Sequence, residues 1–192
     1  MTPTVDMDCA AFSGSRLIAR GAPREVLPAV KAAADAGEDV LVFDLATGRT
    51  AEFDLRGDLE AALSRLPEAP ETRKGPGRPK LGVTAREVTL LPRHWDWLAG
   101  QPGGASAALR RIVEAAMREA EGPDRVRRAR EATYRFMTAM AGDLPNYEEA
   151  TRMLFAGDWT AFDAAVESWP EGVRDVARAM AAGSWRNGTA VD

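Results

Sequence analysis

Val40-Leu41-Val42-Phe43-Asp44-Leu45, Ala46-Thr47-Gly48-Arg49 and Thr50-Ala51-Glu52-Phe53-Asp54-Leu55 follow one another without a break. Two strand-like runs flank a short turn, and Gly48 supplies the positive φ that such a turn needs. The stretch predicts a β-hairpin. Alternation puts Leu41, Phe43 and Leu45 on one face, with Ala51, Phe53 and Leu55 opposite them, and leaves Glu52, Asp54 and Arg56 in water. Upstream, Glu25 to Ala36 carries Val26, Leu27, Val30, Ala33 and Ala34 at helical spacing, and Gly37 ends the helix. Pro28 either kinks it or marks its first turn. Phe12 to Arg20 reads as an earlier strand, weakened by Gly14. The order is β-α-β-β, a small α+β unit over residues 8–66. Three strands and one helix make a thin core, so this unit should lean on the rest of the chain.

Downstream, residues 67–85 crowd Pro67, Pro70, Gly75, Pro76, Gly77, Pro79 and Gly82 into a span that cannot hold a packed element. They predict an extended, flexible basic linker. Residues 86–121 then read as a short strand (Arg86 to Leu91), a helix (Pro92 to Gly100), a Gly103-Gly104 turn and a second helix (Ala105 to Glu121). Ser106 is placed to cap that helix, and Leu109, Ile112, Val113, Ala116, Met117 and Ala120 repeat at its period. Residues 122–185 predict a helical C-terminal region, with helices at about 125–142, 146–156, 159–168 and 171–183. Its expected core is Tyr134, Phe136, Met137, Met140, Leu154, Phe155, Trp159, Phe162 and Trp169. The fold class is α+β, with its strands concentrated near the N-terminus and helices after the linker.

Composition narrows the class further. With 45% hydrophobic and 28% charged residues the 192-residue chain is ordinary for a soluble globular protein. No uncharged apolar run approaches the roughly 18–20 residues that cross a bilayer, so no membrane association is expected. The N-terminus has neither a basic nor an apolar leader region, which predicts a cytoplasmic protein. Cys9 is alone, which excludes an intrachain disulfide framework and a cysteine zinc cluster. A pI near 5.2 excludes a general polycation. The charge is nevertheless uneven. Residues 73–130 hold 13 Lys/Arg against six Asp/Glu, whereas both flanks are acidic. A positive island of this kind suits an anionic partner, whether nucleic acid or the protein's own acidic ends.

Within the island, Val88-Thr89-Leu90-Leu91-Pro92, Trp95-Asp96-Trp97-Leu98 and Gly104-Ala105-Ser106-Ala107-Ala108-Leu109-Arg110-Arg111-Ile112-Val113 resemble the ribbon-helix-helix class of bacterial DNA-binding proteins. That resemblance implies a homodimer whose paired strands form a ribbon in the major groove, while the start of the second helix grips a phosphate. It implies DNA contacts from Arg86 and Thr89 on the strand and from Ser106, Arg110 and Arg111 on the second helix. With Leu91 taken as inward-facing, Thr89 and Glu87 share its side and Leu90 and Val88 lie opposite. Gly77-Arg78-Pro79-Lys80 resembles the core of an AT-hook, which would add Arg78 and Lys80 as minor-groove or backbone contacts. A solvated basic linker is the alternative. Over most of residues 10–180 the chain also resembles an uncharacterised bacterial family, domain of unknown function 2239. The segments that carry this resemblance are Val40 to Arg49, Gly77 to Val83, Glu87 to Leu109 and Tyr134 to Pro145.

The sequence gives no positive sign of an enzyme. Its one histidine, His94, has no second ligand at metal spacing, so no metal is expected. Phosphate-cradling GxxxxGK[ST] sequences are absent, and no cofactor is expected. Glu148 and Glu149 sit where a helix's first turn favours acids. The resulting expectation is a double-stranded DNA-binding homodimer, a transcriptional regulator without catalytic activity. The alternative is a protein-interaction or scaffold module.

Overall fold

A computed structural model describes residues 2–4, 7–67, 84 and 86–185. The chain divides into two compact units. One combines Met1–Ala69 with Pro123–Asp192, and the other is Pro70–Gly122.

The larger unit is built on β1 (Cys9–Ser13), whose first four residues are fully buried. β2 (Arg16–Gly21) follows it directly as a hairpin partner, where the sequence predicts one strand over Phe12 to Arg20. Gly14, at φ 56°, is the reason: the chain reverses there through a conformation that a side chain resists. β3 (Val40–Asp44) pairs with the other edge of β1, and β4 (Arg49–Thr50) with β3, giving an antiparallel sheet of order β2-β1-β3-β4.

Because β1 is central, its two-residue period serves two cores at once. Ala10 and Phe12 face one core with Phe43, and Cys9 and Ala11 face the other with Val42. The hairpin register corrects the expected facing. Phe43 stands opposite Thr50, and Ala51 donates its N–H to the Val42 carbonyl at 2.7 Å. Ala51 therefore shares a core with Val42, not with Phe43. Ladder pairing ends at Thr50. Beyond it burial still alternates, with Ala51 buried, Phe53 and Leu55 half-buried, and Glu52, Asp54 and Arg56 exposed.

α1 (Pro23–Asp35) covers the Val42 side with Val26 and Val30. It starts at Pro23, where the missing N–H costs nothing, and the Glu25 carboxylate accepts the Ala22 N–H at 3.0 Å. Pro28 thus lies inside the helix rather than in its first turn. A short helix that the sequence did not disclose, α2 (Leu59–Ser64), is capped by Asp58, which accepts the Ala61 N–H at 2.8 Å. Its Ala62 packs with Leu66 and Leu27.

The Phe43 side is covered by residues from Pro123 onward in α4 (Gly104–Ala141), with α5 (Tyr147–Ala156), α6 (Trp159–Val166) and α7 (Glu171–Ala182). Phe136 is the wedge. Its ring lies 5.1 Å from Phe43 at 82° and 5.7 Å from Phe12, and all three are fully buried. Edge-to-face rings of this kind add to the gain from burial alone. Met137, Leu154, Phe162 and Trp169 are buried as expected, and the Trp169 indole donates to the Pro145 carbonyl at 2.8 Å. Met140 is half-buried against the same core, and three expected core residues are exposed. Tyr134 and Phe155 pack on each other at 5.7 Å near the surface, and Trp159 lies over Phe162 and Trp185 with 37% of its area exposed.

α4 runs unbroken for 38 residues through Gly122-Pro123, where the sequence predicts two helices. A proline usually clashes with the Cβ of the residue before it, and Gly122 has none. No helix among the described residues is long and apolar enough to cross a membrane.

Candidate nucleic-acid interface

The smaller unit is organised by its punctuation. Leu91 is extended, and Pro92 opens α3 (Pro92–Ala99) with its φ already helical. α3 ends at Gly100. Gly103 and Gly104, at φ 84° and 75°, then turn the chain into α4, and the Gly104 N–H donates to the Gln101 carbonyl at 3.0 Å. Leu98 and Ala108 are the only buried apolar side chains among the described residues of this unit. An apolar groove of about 440 Å³ lies between Leu90, Trp97, Leu98, Leu109 and Ile112, with Arg93 and His94 also lining it. Every residue from Arg110 to Glu119 is exposed. The apolar stripe of the second helix, expected from its period, is therefore uncovered in one copy, with Ile112, Val113 and Met117 between 45% and 66% exposed.

Arg78 and Lys80 lie outside the described residues. Arg86 and Thr89 are exposed, and the segment Arg86 to Leu91 is not a strand, contrary to expectation. A strand needs a ladder partner, and none of the described residues of this chain pairs with the segment. The expected facing is also reversed near the proline. Leu90 is half-buried in the groove, whereas Leu91 is 51% exposed. Ser106 does not cap the second helix, because α4 already begins at Gly104 and places Ser106 in its first turn.

Arg110 and Arg111 both fold back over that turn. The Arg110 Nε donates to the Ser106 carbonyl at 3.2 Å, and an Arg111 Nη donates to the Pro102 carbonyl at 3.1 Å. Neither meets a carboxylate within 4.0 Å among the described residues. The two cations thus stand near the start of α4, whose first N–H, that of Gly104, is already taken by the Gln101 carbonyl.

The positive island itself proves to be divided. In the described part of the smaller unit, Arg86, Arg93, Arg110, Arg111 and Arg118 are matched in number by Glu87, Asp96, Glu114, Glu119 and Glu121. The surplus belongs to residues 73–80 and to Arg125, Arg127, Arg128 and Arg130 in the larger unit. Arg127 is held by Asp124 at 3.1 Å and Glu131 at 3.3 Å, and their hydrogen bonds push its guanidinium pKa further up. No group of three or more metal-binding side chains occurs among the described residues.

A two-helix unit with a glycine turn, exposed arginines at the second helix and an uncovered apolar stripe is thus joined to a sheet packed between helices. Residues 8–181 match the family described as "uncharacterized protein conserved in bacteria (DUF2239)", and the chain belongs to that family. No curated protein and no solved structure matches it.

Proposed function

We propose that the chain binds double-stranded DNA as a homodimer and acts as a transcriptional regulator. The observation that carries the reading is the pairing of two features on one helix. Arg110 and Arg111 have no carboxylate partner among the described residues, and an apolar stripe lies exposed just beyond them. With two buried apolar side chains among its described residues, the unit has a core too thin to be stable by itself. A second copy laid on Ile112, Val113 and Met117 supplies the missing burial and doubles the cationic ends. The segment Arg86 to Leu91 then gains a partner strand that the described residues of a single chain do not offer it. Arg78 and Lys80 on the preceding arm add phosphate attraction that needs no fold.

The test is an electrophoretic shift on random duplex at two salt concentrations, beside a sizing measurement. The expected result is a dimer whose affinity falls steeply with salt. Alanine at Arg78, Lys80, Arg110 and Arg111 together lowers the log–log salt slope by roughly one per lost phosphate contact. Unchanged affinity and slope overturn the reading. Met117→Glu is expected to give a monomer that binds DNA at least tenfold more weakly.

A second reading rests on the apolar groove between Leu90, Trp97 and Leu109. Such a groove also suits a protein-interaction module that takes an apolar side chain of a partner. Binding to that partner would be insensitive to competitor DNA.

A further inference from the structure

The larger unit holds a cleft of about 620 Å³, well separated in composition from the features above. Its walls come from the start and end of the β1–β2 hairpin, the β3–β4 turn, the Arg125 to Ala132 stretch of α4 and the end of α7. The floor is hydrocarbon: Leu45, Ala129, Ala132 and Met180. The charged lining is Arg20, Arg125 and Arg128, with the Asp8 carboxylate among them.

The turn that forms one wall is fixed in place. The Asp44 carboxylate accepts the Ala46 N–H at 3.0 Å and the Thr47 hydroxyl at 2.7 Å. Arg135 donates to the Thr47 carbonyl at 2.9 Å. Gly48 lies so close to α4 that a Cβ there would sit 2.0 Å from the Ala132 carbonyl oxygen. A wall held at four points is preformed, which spares a ligand the cost of ordering it.

Arg20 and Arg128 have hydrogen-bonding capacity to spare. Arg128 donates its Nε to the Asp124 carbonyl at 3.2 Å, and no carboxylate among the described residues reaches its Nη groups. Among the described residues Arg20 has one ion pair, to Asp8 at 3.7 Å, in which both side chains are about half exposed. A contact of that length and exposure is worth little and is readily exchanged.

We propose that this cleft binds a small amphipathic anion: a carboxylate or phosphate head on Arg20 and Arg128, and a medium-chain acyl or aromatic body on Leu45, Ala129 and Met180. The hydrocarbon floor separates this ligand from a nucleic-acid phosphate, which would leave it unused. The volume lies in the range of small-molecule pockets. Guanidinium groups and an apolar wall lining one cleft reward head and tail together, since each charge-assisted hydrogen bond strengthens as water is excluded.

The experiment is an amide-resolved NMR titration of the full chain with octanoate, octyl phosphate and octanol. At least one of the two anions is expected to shift the amides of Leu45 to Thr47, Ala129 to Ala132 and Met180 at submillimolar concentration. Whichever binds more tightly identifies the head group. Octanol is expected to bind at least tenfold more weakly, and Arg128→Gln and Arg20→Gln each to weaken the anion about tenfold. Both replaced side chains are exposed, and a thermal melt of the same samples verifies the fold. The proposal is overturned if neither anion moves those amides at millimolar concentration, if octanol binds as well, or if both glutamine variants bind unchanged. DNA affinity is measured separately, so failure here leaves the DNA reading standing, and the converse also holds.

Discussion

Replacing Gly48 by alanine should damage the larger unit far more than the same change at Gly14, although both residues lie at a left-handed turn, with φ 67° and 56°. Each variant carries the backbone cost of an L-residue in that region, about 1–2 kcal/mol. They differ in what the new methyl group meets. At Gly14 nothing lies within 4 Å. At Gly48 the Cβ falls 2.0 Å from the Ala132 carbonyl oxygen and 2.8 Å from its carbon, both backbone atoms of α4. Relief requires moving the turn away from α4, which loosens the Arg135 bond to Thr47. Overpacking of this kind adds about 1–3 kcal/mol. The totals are about 2–5 kcal/mol for Gly48→Ala and about 1–2 kcal/mol for Gly14→Ala. With a urea slope of about 2 kcal/mol/M, the midpoints fall by about 1–2.5 M and about 0.5–1 M. The measurement is urea denaturation followed by tryptophan fluorescence in a Trp95→Phe, Trp97→Phe background. Only Trp159, Trp169 and Trp185 then report, all in the larger unit. Equal midpoint shifts would refute the close approach of turn and helix, and with it the preformed wall of the cleft.

Phe136→Ala, at the centre of the three-ring cluster, should cost about 3–5 kcal/mol, whereas Tyr134→Ala, whose ring is 38% exposed, should cost under about 1.5. A pair of denaturation curves separates the two. Burial, with Asp44 and Asp8 adding to it, pushes the Cys9 thiol from 9.0 up to about 11. The unfolded chain then loses that proton first, so stability falls as pH rises from about 9 to 11, by roughly 2–3 kcal/mol in full. Cys9→Ala should flatten that part of the profile, and native Cys9 should resist alkylation at pH 8 until the chain is unfolded.

Much of the helical architecture could be read from local signals. α1 and α5 to α7 are bounded by glycine, proline and acidic first turns, and the structure places them within a few residues of the expected ends. The misreadings share a cause: they are places where a partner distant in sequence decides. Gly14 weakens a strand locally, yet in the sheet it makes a turn, because β2 has β1 to return to. Val42 rather than Phe43 meets Ala51 because the ladder with β1 sets the register, and period-two patterning alone cannot tell the two faces apart when both are buried. Gly122-Pro123 carries two helix breakers whose effects are not additive, since the glycine removes the clash on which the proline's effect partly depends. In the candidate interface, the residue types and the α3–α4 order were legible. The division of charge between the units was not, because composition counts arginines without locating them. The bare stripe on α4 was visible as a period, but its exposure depends on what else the fold brings to it. The amphipathic cleft had no sequence signal at all, as Arg20, Leu45, Arg128 and Met180 come from four separated segments.

The larger unit is discontinuous along the chain, and this has a consequence during synthesis. Its sheet leaves the ribosome with Phe12 and Phe43 already in place, but Phe136, the ring that seals them, is encoded about ninety residues later. At translation speeds of about 5–20 residues per second the nascent sheet waits about 5–20 s with an oily face bare. Truncation anywhere before residue 136 should therefore yield an aggregating fragment rather than a smaller folded protein.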